Sequence, residues 1–219
     1  MGKRVTSLKA QKRNHQRINV YLDGEFAFGL SRFVAAWLQV GQELSEEKIT
    51  ELIKQDEFES AYQRTLKFIS YRMRSVSEVQ SYLHQNGIDD STIAGVVERL
   101  QQNGLLDDAN FAKMWIDNRS EFRPRSRRML KVELTHKGIP AELISQTLQN
   151  ASEDEELVYI AARKQARKYK NIEWQIFQKR LSSYLARRGF SYSLIKPTVK
   201  KVWKEQQSEN IYPDHEGLS

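Results

Sequence analysis

"YLHQNGIDDSTI" (82–93), "ELTHKGIPAELI" (133–144) and "YLARRGFSYSLI" (184–195) repeat one pattern: a helix end, a glycine, an apolar residue and a second helix start. Consecutive copies lie 51 residues apart, a step that aligns three glycines: Gly87, Gly138 and Gly189. We predict that each glycine ends its helix with a positive φ angle, which a Cβ disfavours. Valine at any of the three should therefore cost about the same stability, roughly 1 kcal/mol or more.

The same step also aligns apolar residues on both sides of each glycine: Val79, Leu130 and Leu181; Leu83, Leu134 and Leu185; Ile88, Ile139 and Phe190; Ile93, Ile144 and Ile195. Steps of four residues place these side chains on one helical face. A further amphipathic segment precedes each pair of helices, beginning near Tyr62, Phe111 and Tyr159. The pattern predicts three tandem three-helix repeats, which stack into an elongated, curved array because no unit buries its apolar face alone.

The first part of the chain differs, because residues 17–31, "RINVYLDGEFAFGLS", alternate apolar and polar residues around Asp23-Gly24. This pattern predicts a β-hairpin with a type I′ turn. Residues 5–12 can add a third strand, and two short helices follow over 32–41 and 45–56. The fold class is therefore mainly α, with a small N-terminal β-hairpin-containing segment.

These patterns divide the chain into five parts. They are a β-rich segment with two short helices (1–57), helical repeats over 58–107, 108–152 and 153–206, and a disordered tail (207–219).

Charge is unevenly distributed along the 219 residues, whose formal net charge is +7. Residues 1–108 contain 14 Lys and Arg against 15 Asp and Glu, whereas residues 109–206 contain 21 against 10. A basic second half favours an acidic partner, either nucleic acid or an acidic protein surface. The absence of cysteine fits a reducing cytoplasm, and no apolar run is long enough for a membrane span.

Motifs for catalysis are missing from the sequence. There is no G-x-G-x-x-G and no H-E-x-x-H, and the four histidines are scattered. The acidic pair Asp107-Asp108 is better explained as a helix N-cap after Gly104 than as a catalytic or metal site. We therefore predict no enzyme activity, no catalytic residue, no metal ion and no cofactor.

Basic residues cluster at the junction between the first and second helices of the middle repeat, around Pro124: Arg119, Arg123, Arg125, Arg127, Arg128 and Lys131. The third repeat adds a second set: Arg163, Lys164, Arg167, Lys168, Lys179, Arg180, Arg187 and Arg188. Arginine binds phosphates and carboxylates bidentately, and the aromatic rings of Tyr169, Trp174 and Tyr184 lie nearby in sequence. We predict that these cations bind the partner; the alternatives are a solvated helix face and aromatic residues that belong to the core.

Together, "RINVYLDGEFAFGLS", the three glycine turns and "LLDDANFAKMWIDNR" (105–119) resemble the RecX family, modulators of the RecA recombinase. The resemblance covers about residues 4–205 and implies three tandem three-helix repeats. It also implies a cytoplasmic bacterial protein that binds in the groove of the RecA–DNA filament and contacts neighbouring protomers.

By this resemblance, the chain should inhibit the ATPase, strand-exchange and co-protease activities of RecA on single-stranded DNA, in homologous recombination, DNA repair and the SOS response. We expect a monomer with no membrane contact and with some direct contact to DNA. The alternative is a basic helical-repeat protein that binds DNA or RNA without a recombinase.

Overall fold

The computed structural model describes residues 2–211, with side chains described as far as residue 208. The chain divides into two compact units, Met1–Leu106 and a second that begins at Asp107. Within the described residues, no helix is long and apolar enough to cross a membrane.

An antiparallel sheet with the strand order β3-β2-β1-β4 forms the start of the first unit. Its strands are β1 (Lys3–Ala10), β2 (Arg17–Leu22), β3 (Glu25–Ser31) and β4 (Glu43–Leu44). At the β2–β3 turn, Asp23 and Gly24 have φ angles of 50° and 90°, as a type I′ turn requires. The predicted hairpin is confirmed, and β4 is an additional strand that the sequence pattern did not predict.

Two helices follow the hairpin, but their lengths differ from the prediction. Helix α1 (Arg32–Ala35) has only four residues, whereas α2 (Glu46–Ser70) has 25. The side chain of Ser45 caps α2 by accepting a hydrogen bond from the Lys48 N–H, and no glycine or proline interrupts the helix. The prediction of a short helix ending at residue 56 is therefore wrong, and the boundary after residue 57 falls inside α2.

A half-buried ion pair joins the sheet to α2. Arg17 Nη2 lies 2.8 Å from Asp56 Oδ2, and the same carboxylate accepts a hydrogen bond from the Ser31 N–H. The Asp56 side chain is only 9% exposed. Helix α2 thus packs on the sheet through its first half and belongs to the first helical repeat through its second half.

Helices account for the remainder of the described chain, in three groups of three. The first group contains α2, α3 (Val76–Gln85) and α4 (Asp90–Gln102); the second contains α5 (Asp108–Phe122), α6 (Arg127–His136) and α7 (Ala141–Gln149); the third contains α8 (Asp154–Ala166), α9 (Trp174–Arg187) and α10 (Tyr192–Ile211). Each group has its own apolar core. The three three-helix repeats are confirmed. Helix α10 includes residues 207–211 of the predicted tail, and residues 212–219 lie outside the described residues.

The glycine turns follow the predicted geometry. Gly87, Gly138 and Gly189 have φ angles of 74°, 72° and 88°. The N–H of the apolar residue after each glycine donates to a leucine carbonyl in the last helical turn: Ile88 to Leu83, Ile139 to Leu134 and Phe190 to Leu185. This is the Schellman hydrogen-bond pattern of a helix C-terminus.

The surroundings of the glycine turns are not equal. A Cβ at Gly87 would meet no atom within 4 Å, whereas a Cβ at Gly189 would lie 2.5 Å from Ser126 Oγ and 3.1 Å from Met129 Cβ. The expectation of equal costs therefore does not hold for these two positions, because Gly189 also packs closely against the start of α6.

Candidate partner-binding surface

The α5–α6 junction is shaped by a proline and a serine. Pro124 disfavours helical geometry at the preceding residue, and Arg123 ends α5 with φ −143° and ψ 64°. The buried Ser126 then caps α6 by accepting a hydrogen bond from the Met129 N–H at 3.3 Å. The arginines of the junction therefore project from a turn with a fixed backbone.

Glu133 on α6 binds two of these arginines. One of its carboxylate oxygens accepts hydrogen bonds from Trp115 Nε1 and Arg119 Nε, both at 2.8 Å, and the other lies 2.7 Å from Arg125 Nη1. The Glu133 side chain is 14% exposed. The Arg119 guanidinium also lies 4.4 Å from the centre of the Trp115 ring. Arg119 thus holds α5 against α6, and Arg125 holds the junction segment against α6; both roles lie inside the fold.

Arg127 connects the start of α6 to the segment between α7 and α8. Its guanidinium donates to the carbonyls of Ala151 and Ser152 and lies 3.0 Å from Glu153 Oε1. Its backbone N–H donates to Asp154 Oδ1 at 2.7 Å. Reversing the charge of Arg127 would therefore disturb this connection as well as any binding surface.

The third helical group also contacts the junction. Arg188 Nη1 donates to the Pro124 carbonyl at 3.0 Å, and the Ser126 N–H donates to the Arg188 carbonyl at 3.1 Å. From α8, Lys164 Nζ donates to the Glu121 carbonyl at the end of α5. The structure thus brings two residues of the second basic set, Lys164 and Arg188, to the α5–α6 junction.

Eight of the predicted cations are exposed and have no ion pair with any described residue: Arg123, Arg128, Lys131, Arg167, Lys168, Lys179, Arg180 and Arg187. We call these residues the free cations. Arg163 is exposed as well, with its guanidinium 6.0 Å from the centre of the Tyr159 ring. Exposed cations that form no internal ion pair are available to an acidic partner.

The three aromatic residues near the basic segments pack within the third helical group. Tyr169 and Trp174 contact Phe177 with ring-centre distances of 6.3 and 6.4 Å, and Tyr184 lies under the Arg188 guanidinium at 4.5 Å. All three are partly buried against the core. This arrangement favours the core interpretation of these rings.

Glu133, the acceptor that organises the junction, was not predicted from the sequence. One signal was present: Trp115 and Arg119 are four residues apart on α5, so they lie on the same helical face. Elsewhere, Asp107 is the N-cap of α5, as the helix-cap interpretation of the Asp107-Asp108 pair requires. No group of three or more metal-ligating side chains is found among the described residues.

Four family models match successive parts of the chain. They are the N-terminal domain of the regulatory protein RecX (residues 3–45) and the first, second and third RecX three-helix domains (61–100, 107–148 and 153–199).

Two relatives named Regulatory protein RecX match over most of the chain. The protein from Bacillus pumilus is 31% identical over 209 residues, which is 94% of this chain and 80% of the relative. The protein from Bacillus licheniformis is 32% identical over 202 residues, or 90% of this chain and 77% of the relative.

Two solved structures are also similar. The crystal structure of a regulatory protein RecX superposes with a TM-score of 0.67 at 26% identity, covering 91% of this chain and 99% of that one. The crystal structure of RecX from Lactobacillus salivarius gives 0.57 over 68% of this chain and 99% of that one; at 22% identity, it supports the fold alone.

Proposed function

Because this chain belongs to the RecX family of regulatory proteins, we propose that it inhibits a RecA recombinase by binding the filament that RecA forms on single-stranded DNA. In this proposal the chain acts as a monomer in the bacterial cytoplasm, without a cofactor or a reaction of its own. It lowers the ATPase, strand-exchange and co-protease activities of the filament.

The free cations are the observation that supports this proposal. Arg128 and Lys131 lie on α6, and Arg123 lies in the α5–α6 junction, which is tied internally by Arg125, Arg127 and Arg188. The others lie directly after α8 or on α9: Arg167, Lys168, Lys179, Arg180 and Arg187. Because the junction is already fixed, its backbone loses little conformational entropy when an acidic partner binds. The filament is such a partner, because it presents phosphates and protein carboxylates together.

Contact with a polymer predicts a distinctive dose dependence. A protein that touches two or more protomers at once gains effective concentration only when the polymer is assembled. The intact chain should therefore lower the DNA-dependent ATPase of RecA from its own bacterium at well below one molecule per recombinase monomer. Inhibition that needs a full equivalent per monomer would contradict the proposed mode of binding.

The second candidate function is direct binding to DNA or RNA, which the excess of Lys and Arg after residue 108 also favours. Electrophoretic retardation of bare single-stranded DNA, compared with RecA-coated DNA, separates the two functions. Tighter binding to RecA-coated DNA is expected from a filament regulator. Equal or tighter binding to bare DNA, with ATPase inhibition that excess DNA removes, would favour the second candidate.

A further inference from the structure

The 51-residue step that relates the glycine turns also relates two interhelical junctions. "YRMRS" (71–75) between α2 and α3 aligns with "FRPRS" (122–126) between α5 and α6. Each segment has an aromatic residue, two arginines and a final serine at matching positions. The third group has "EWQIF" (173–177) at this place, so the motif occurs twice, once in each compact unit.

The two segments also have the same local structure. Ser75 and Ser126 are both fully buried N-caps, accepting hydrogen bonds from the third helical N–H at 3.2 and 3.3 Å. The arginine before each serine is held inward. The Arg74 guanidinium lies 3.9 Å from the centre of the Phe68 ring, and Arg125 binds Glu133 at 2.7 Å. The final serine and the second arginine therefore hold each segment against the rest of the fold.

The aromatic residue is the exposed part of each segment. Tyr71 is 74% exposed and Phe122 is 62% exposed, and each lies at the C-terminal end of a helix. An exposed apolar ring forgoes the stability that its burial would give, and neither ring has an aromatic contact with another described residue. Rigidly presented aromatic residues are the side chains that most often dominate the energy of protein interfaces.

The surroundings of Tyr71 in the first segment indicate whether the partner is protein or nucleic acid. Arg72 already pairs with Glu78 through both guanidinium nitrogens, at 2.8 and 3.0 Å, so it offers no free fork for a phosphate. Beside it, Met73 is 43% exposed and adds apolar surface. The chain up to residue 108 also has no excess of basic residues. Protein therefore fits this surface better than nucleic acid does.

We propose that Tyr71 and Phe122 are equivalent docking residues, each of which inserts into the same apolar pocket on a different copy of one repeating protein. Two copies of one element are expected to recognise two copies of one surface. This inference rests on the proposed function, in which the repeating protein is RecA in its filament.

The test compares Tyr71→Ala, Phe122→Ala and the double variant in the full chain. Tyr192→Ala and Phe26→Ala are matched controls, since these rings are 70% and 59% exposed outside the two segments. On RecA assembled on single-stranded DNA, each single variant should bind about tenfold more weakly or worse, because one of two linked contacts is lost. On RecA without DNA, one protomer can bind either Tyr71 or Phe122. Each single variant keeps one of these two equivalent residues, so its affinity should fall only about twofold, and only the double variant should lose most of the affinity.

Several outcomes overturn the inference. If Tyr71→Ala and Phe122→Ala bind the filament as the controls do, the docking residues are wrong while the proposed function stands. If only Phe122→Ala weakens binding, the two elements are not equivalent. If the double variant loses affinity for bare single-stranded DNA to the same extent as for the filament, the rings stack on bases. If the wild-type chain does not bind the filament, the proposed function fails, and this inference fails with it.

Discussion

Arg125 and Arg128 lie three positions apart around the start of α6, but their surroundings differ. Arg125 lies 2.7 Å from Glu133 and is 33% exposed, whereas Arg128 is exposed and has no ion pair with any described residue. The same contrast divides the whole junction into an inner side, with Arg119, Arg125, Arg127 and Arg188, and an outer side, with Arg123, Arg128 and Lys131.

This contrast shows that basic charge at the junction has two separate functions. Charges on the inner side are largely removed from water, so each needs its acceptor and contributes to holding helices together. Charges on the outer side remain solvated and contribute little to stability, which leaves them available for a partner. Substitutions on the inner side should therefore lower the free energy of unfolding, and substitutions on the outer side should leave it nearly unchanged.

Removing the acceptor of the inner side should have the largest effect. Glu133→Ala leaves Trp115 Nε1, Arg119 and Arg125 without their shared carboxylate. We expect the free energy of unfolding to fall by about 3 kcal/mol, since the two guanidinium groups would be left unpaired in a mostly buried site. Urea denaturation followed by circular dichroism measures this change.

Glu121→Ala is the matched control for that variant. The Glu121 side chain is exposed and has no ion pair with a described residue, so its loss should change stability by less than about 0.5 kcal/mol. Equal behaviour of the two variants would mean that Glu133 does not organise the inner side.

Substituting Gly189, which packs against Ser126 at the start of α6, should have the next largest effect on stability. Gly189→Val combines an unfavourable φ angle with a side chain that would overlap Ser126 Oγ, so we expect a loss of about 2.5 kcal/mol. Gly87→Val has the same backbone problem in open space and should lose about 1 kcal/mol. Thermal unfolding of both variants gives the difference, and equal losses would show that the contact with α6 carries no energy.

Charge reversal on the outer side should have the smallest effect on stability. The test is a triple variant in which Arg123, Arg128 and Lys131 are each replaced by glutamate. Each substitution should change the free energy of unfolding by less than about 0.5 kcal/mol. Affinity for the RecA–DNA filament should nevertheless fall strongly, and its dependence on salt should weaken because fewer ionic contacts remain. Titration of the filament at several salt concentrations measures both quantities.

The control for that variant reverses the same number of charges on α10: Lys196, Lys200 and Lys204→Glu, all of them exposed. This variant should keep most of the affinity, because the lysines of α10 are better explained as a solvated face. If both variants lose affinity equally, only the net charge of the protein matters.

The sequence by itself determined the features that depend on a few neighbouring residues. The turn at Asp23-Gly24 and the three helix ends at Gly87, Gly138 and Gly189 follow from the φ angles that the backbone allows. The period of 51 residues, with leucine at Leu83, Leu134 and Leu185, was enough to predict three helical groups, because a repeated apolar face must be buried each time.

Tertiary structure alone decided the length of α2 and the division of the arginines. The N-cap residue Ser45 predicts where α2 starts. Where α2 ends depends on its packing against both the sheet and the first helical group. Likewise, Arg119, Arg127 and Arg188 find their acceptors on α6, on the segment between α7 and α8, and at Pro124. A charge in the sequence does not specify its partner, because the acceptor, whether a carboxylate or a backbone carbonyl, comes from a part of the chain that only folding brings close.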